Sequence, residues 1–117
     1  MQFLSYFPGQ EVTVLLETVD ADSIRADGYL LPDGYILPIV SKILKPNLTY
    51  IDGYPFDMTK LEVGVYYYKF TLPTGASAVG SYIVDVTYLD PADSTLKQIL
   101  YQIVVTAPYG NFGATAG

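Results

Sequence analysis

No stretch of this chain repeats its apolar residues at helical spacing over three turns. Apolar and polar residues instead alternate in short runs, each closed by proline, glycine or aspartate. After the turn "FPGQ" (Phe7 to Gln10), "EVTVLLETV" sets Val12, Val14 and Leu16 on one face and Thr13, Leu15 and Glu17 on the other. In "VGVYYYKFTL", Tyr66, Tyr68 and Phe70 share a face, and Tyr67 and Lys69 take the opposite one. "SYIVDVTYL" groups Tyr82, Val84, Val86 and Tyr88. "TLKQILYQIVVTA" groups Ile99, Tyr101, Ile103 and Val105, with Leu96, Leu100 and Val104 on its other side. A period of two is the signature of a β-strand. "DADSIRADG", "LLPDG", "PTGASAVG" and "DPADS" are the polar turns between the runs. The middle is harder to read. "YILPIVSKIL" (Tyr35 to Leu44) holds one or two strands with Pro38 at an edge or bend. "KPNLTYIDGYPFDMT" is predicted to carry a short strand near Leu48–Ile51 and a turn at Asp52–Gly53.

Seven or so strands with frequent turns in a chain of this length predict an all-β fold, an immunoglobulin-like β-sandwich of about seven to nine antiparallel strands with extended termini. Residues 1–107 are read as one domain and 108–117 as a Gly/Ala-rich C-terminal arm. Tyr82, at the head of its strand, stands where a tyrosine corner would. It suits a plain aromatic core position equally well.

Composition removes several functions. Of 117 residues half are apolar and only 15% are charged, against about a quarter in average domains. That favours a large core and a poorly charged surface. The net charge is −6, and the six basic residues are scattered singly, so no basic patch for nucleic acid is visible. There is no cysteine and no histidine. Thiolate chemistry is impossible, and the usual general base and commonest metal ligand are missing. "MQFLSYFPGQ" has no basic n-region or long apolar run, so synthesis in a host cytoplasm is expected.

Candidate chemical sites are few. Asp20, Asp22 and Asp27 could offer oxygens to calcium, but their spacing is not that of an EF-hand, and acidic residues also populate solvated turns. "NLT" (Asn47 to Thr49) matches a glycosylation acceptor, a short match read as chance. Alternation puts Asp85 on the outer face with Ile83 and Thr87, a solvated position. "PTGASAVG" lacks the ending of a phosphate loop. No catalytic residue, cofactor or metal is expected, and the chain is read as non-enzymatic.

The apolar residues on the outer faces carry the functional reading. Tyr67, Ile83, Leu89, Leu15 and Val19 lie opposite the expected core, and a free monomer seldom shows large contiguous apolar patches. Either these strands are buried on both sides or the chain packs into an assembly. The second reading is preferred, with Phe3, Phe7, Tyr67, Tyr101, Tyr109 and Phe112 as contacts, because tyrosine buries a large ring and keeps a polar tip. The tail "PYGNFGATAG" is either a frayed end or an arm that docks Tyr109 and Phe112 on a neighbour.

"YFPGQEVTVLLETVDADSIRADG" resembles the opening of an immunoglobulin-like or macroglobulin-like module, in which an aromatic-Pro-Gly turn leads into an alternating strand and an acidic loop. "GVYYYKFTLPTGASAVGSYIVDVTYLD" resembles the later part of such modules. The resemblance spans residues 6 to 106 and bears on fold more than on function. Cysteine-free, tyrosine-rich versions are most similar to structural proteins of tailed-bacteriophage virions, and the length best suits a capsid decoration (cement) protein. The resemblance implies a location on the phage head surface, with the major capsid protein and neighbouring copies of the chain as partners. It also implies a homo-oligomer or lattice-bound subunit, with no role for nucleic acid or membrane. A phage tail or head–tail connector subunit is the first alternative. A carbohydrate- or cell-binding module using Tyr67 or Tyr54, with Asp57 nearby, is the second, and a piece of a larger adhesin is the third.

Overall fold

The computed structural model describes residues 2–30, 32 and 34–107. Ten strands follow one another: β1 (Gln2–Tyr6), β2 (Glu11–Glu17), β3 (Tyr29–Leu30), β4 (Gly34–Tyr35), β5 (Ile39–Leu44), β6 (Phe56–Asp57), β7 (Thr59–Glu62), β8 (Val65–Thr71), β9 (Gly80–Asp90) and β10 (Thr95–Val105). The helical content among the described residues is one 3-10 turn, Ala76–Ala78. The strands form a five-stranded sheet in the order β1-β10-β9-β5-β6, a three-stranded sheet β2-β8-β7, and the two-residue hairpin β3-β4.

The inward faces are those the alternation predicts. Val12, Val14, Leu16, Tyr66, Tyr82, Val84, Val86, Ile103 and Val105 meet between the two larger sheets, with Val40, Ile43, Met58 and Leu72. Burying one such side chain contributes about 1.5–3 kcal/mol. At the corner between β8 and β9, the Tyr82 hydroxyl donates to the Ala78 carbonyl at 2.9 Å. A buried tyrosine at the head of a strand, bonded to backbone a few residues upstream, is a tyrosine corner.

Three expectations need correction. The sheet is not wholly antiparallel, because β1 runs parallel to β10, Gln2 beside Tyr101 through Tyr6 beside Val105. That pairing makes Gln2–Tyr6 an edge strand of the domain and not an extended N-terminus. No strand forms at Leu48–Ile51. There Leu48 N–H donates to the Lys45 carbonyl at 2.9 Å and Leu48 takes a φ of 68°, so the chain turns, leaving a single bridge between Leu44 and Tyr50. The strand pairing of this region comes later, with β6 on β5 and β7 on β8.

Candidate interaction surfaces

The three adjacent tyrosines of β8 divide between two environments. Tyr66 is buried, and its hydroxyl donates to Asp27 Oδ1. Tyr68 also faces inward, where it meets Tyr54 edge-on at 5.9 Å, Phe56 at 5.7 Å and Phe70 in a stacked pair at 6.3 Å. The Tyr54 and Tyr68 hydroxyls are 2.7 Å apart. Burial, and then this hydrogen bond, raises the Tyr54 pKa. Tyr54 is therefore half-buried and tied at its polar end, unlike the open stacking platform that a sugar-binding reading would need.

Tyr67 points the other way, onto the outer face of the three-stranded sheet. It lies directly across from Leu15, and Lys69 lies across from Thr13. With Leu61 from β7 these side chains line a shallow groove of about 330 Å³. Leu15 is 57% exposed and Leu61 63%. The Lys69 ammonium is 5.9 Å from the Tyr67 ring centre, within cation–π range. Nothing among the described residues covers this groove, and its apolar residues come from three neighbouring strands.

The outer face of the five-stranded sheet differs. Asp85, expected to be solvated there, is only 5% exposed. It sits on the central strand β9 between Leu100 of β10 and Lys42 of β5, so its neighbours close over it. Its Oδ2 accepts from Gln98 Nε2 at 2.7 Å and lies 4.0 Å from Lys42 Nζ. Its Oδ1 has no hydrogen-bond partner among the described residues.

The acidic loop is taken up by structure. Asp20 Oδ1 accepts from the backbone N–H groups of Asp22 and Ile24, at 2.8 and 3.1 Å. Asp27 accepts from Gly64 N–H at 3.0 Å, from Tyr66, and from Lys60 Nζ at 2.6 Å. Burial works to raise the Asp27 pKa, but the bonds from Lys60, Tyr66 and Gly64 together outweigh it and hold the carboxyl below its ordinary value. Among the described residues no three acidic side chains gather as a metal site would require.

The predicted contact residues therefore scatter. Tyr67 is in the groove. Phe7, 44% exposed, lies in the β1–β2 turn, where its N–H donates to Gln10 Oε1 at 2.7 Å. Phe3 stands in β1 beside Gln102. Tyr101 has to be withdrawn as a surface contact. It is 1% exposed, because the Ile99-Tyr101-Ile103 face of β10 turns into the core, and its hydroxyl donates to the Leu15 carbonyl at 2.6 Å. Burial, and secondarily Tyr88, pushes its pKa up to about 12. Tyr109 and Phe112 lie outside the described residues. Leu61 carries no signal in the sequence, because "TKLE" reads as polar and its neighbours only become clear once β7 is paired with β8. No known family model, curated protein or solved structure matches the chain.

Proposed function

We propose that this chain is a non-enzymatic virion structural protein, a decoration subunit that binds the outside of a tailed-phage capsid and links neighbouring capsid proteins and copies of itself. The observation that carries the binding role is the uncovered groove of Leu15, Leu61 and Tyr67 on the three-stranded sheet. Its Tyr67 ring offers a large apolar area with a polar tip, the kind of residue that anchors protein interfaces. The virion setting rests on the sequence resemblance. An immunoglobulin-like architecture is supported by the order β2-β8-β7 facing β1-β10-β9-β5 and by the Tyr82 corner. One groove of this size binds weakly, and a repeating lattice multiplies weak contacts into firm attachment. Phe3, Phe7 and Phe112 are further proposed contacts, and the net charge of −6 keeps free subunits soluble.

The test is co-sedimentation of the purified chain with expanded, undecorated phage shells, together with its mass in solution. Pelleting at a fixed ratio to the capsid protein supports the reading. A closed ring that ignores the shells replaces it with a tail or connector role. A monomer that ignores the shells, yet shows tyrosine quenching with glycans, replaces it with a carbohydrate-binding module.

A further inference from the structure

The pairing of β2 with β8 fixes which way the β2 backbone points. At its two ends, Leu72 N–H donates to the Gln10 carbonyl at 2.9 Å and Thr18 N–H donates to the Gly64 carbonyl at 2.8 Å. The register between those ends runs without a shift. In an antiparallel pair, residues that exchange backbone bonds alternate with residues that do not. The bonded set is therefore the even-numbered one, and the backbone groups of Glu11, Thr13, Leu15 and Glu17 point away from β8. β2 is an end strand of its sheet, so no strand among the described residues meets them. β1, which precedes it in the chain, pairs with β10 of the other sheet instead. The Leu15 carbonyl accepts from the Tyr101 hydroxyl at 2.6 Å, and a carbonyl has a second lone pair to offer. The other three residues present both backbone groups along the open edge.

We propose that this edge receives a strand from a partner protein, an extended segment with a lysine or arginine opposite Glu11 and an apolar residue opposite Leu15. Strand addition draws affinity from main-chain bonds and specificity from alternate side chains. The added strand lies beside Thr13 and Leu15, which line the groove already read as the binding face, and widens that face by one strand. The charges on the edge select the partner. Glu11, Leu15 and Glu17 are exposed. Arg25 already bonds Glu17, so Glu11 is the carboxylate left for an incoming cation. Against a second copy the same row is repulsive. Two β2 strands paired antiparallel over their full length set Glu11 against Glu17 at both ends, and like charges directly opposite are destabilising. Charged side chains guard sheet edges against self-pairing in this way. A basic segment turns the guard into an attraction, and the net charge of −6 steers such a segment in. The inference rests on the groove being a binding face, not on the partner being a capsid protein.

The experiment is amide hydrogen exchange by NMR on the full chain, alone and with the acetylated, amidated heptapeptide Thr-Thr-Val-Thr-Thr-Thr-Lys at millimolar concentration. Bound antiparallel along β2, this peptide sets its lysine opposite Glu11 and its valine opposite Leu15. In the free chain, fast exchange is expected at the amides of Glu11, Thr13, Leu15 and Glu17, and slow exchange at Val12, Val14 and Leu16. Adding the peptide should slow the first set at least about threefold. Replacing the peptide's lysine by glutamate should weaken binding at least about threefold, and Glu11→Lys should invert that preference. Slow exchange of the first set in the free chain, or no slowing with the peptide, would overturn the proposal. A peptide preference indifferent to Glu11→Lys would overturn it equally. Thr13→Pro removes an outward N–H that bonds nothing in the fold. Shell binding that survives in folded Thr13→Pro, but not in Leu15→Lys with Leu61→Lys, would overturn the strand addition and leave the groove reading in place.

Discussion

Tyr66, Tyr82 and Tyr101 are each at most 1% exposed, and each hydroxyl has a partner of a different kind: a carboxylate, a carbonyl four residues upstream and a carbonyl of the opposite sheet. A buried hydroxyl left unpaired costs about 1–3 kcal/mol, so these rings are admitted to the core only at positions where a partner waits. Asp27 is the most engaged of these partners. Its folded pKa lies below the unfolded value, so its stabilisation is fully present above about pH 4 and is lost as the pH falls through the folded pKa. Asp27→Asn is expected to lower stability by about 1–3 kcal/mol at neutral pH. It should also flatten the decline below about pH 4, read from urea midpoints at several pH values. Asp93, lowered by Thr95 and Lys97 but half exposed, leaves a smaller and salt-sensitive residue of that decline. Asp85 is the opposite case. One of its oxygens is unpaired, and its cation is half exposed and 4.0 Å away. Asp85→Val is expected to be neutral or stabilising by about 1–2 kcal/mol in thermal unfolding; a loss larger than about 1 kcal/mol would show that the carboxylate holds the sheet together.

The elements depend on a few close approaches between loops and strands. The turn from β7 to β8 passes under the loop after β2, where Thr18 N–H donates to the Gly64 carbonyl at 2.8 Å. Gly64 has a φ of 72°, and a Cβ there would come within 2.6 Å of the Thr18 carbonyl oxygen. Gly64→Ala therefore meets both backbone strain and a backbone clash. An expected loss of about 2–4 kcal/mol follows, measurable by chemical denaturation; an unchanged midpoint would mean that the loop does not pack there. Arg25 reaches from the same loop to Glu17 at 2.5 Å and Glu62 at 2.6 Å, joining the ends of β2 and β7. All three side chains are about half exposed, so this cross-link adds little. The outward-facing backbone of β2 is an open edge in the three-stranded sheet, and the Tyr101 hydroxyl on the Leu15 carbonyl closes part of it.

Much of the whole molecule is legible in the alternation. β2, β8, β9 and β10 carry their apolar residues at period two, and the inward faces read from them are faces that pack; on β9 the opposite face is also covered in part, since Asp85 is 5% and Leu89 4% exposed although both were expected on the outer surface. The parallel β1–β10 pair was not legible, since pairing partners so far apart leave no local signal in "QFLSY". Short strands hid for a related reason. Two residues at Phe56–Asp57 cannot show a period, whereas Leu48–Ile51 looks apolar and is bent by Pro46 and Asn47. Period also assigns faces without ranking them, so on a strand apolar on both sides it leaves Tyr101 a candidate contact although its row faces the core. The groove on the three-stranded sheet was only half visible, since Tyr67 and Leu15 stood out and Leu61 did not.

The central claim is that this groove binds a partner and is not merely an exposed part of a stable domain. Leu15 and Leu61 are both more than half exposed, so Leu15→Lys with Leu61→Lys should change stability by about 0.5 kcal/mol or less per site. The decisive measurement is co-sedimentation of this double variant with expanded shells, beside its thermal midpoint. A melting temperature close to the parent's with binding weakened at least about tenfold, roughly 1.4 kcal/mol, is the predicted result. Parent-like binding by a folded double variant would contradict the claim.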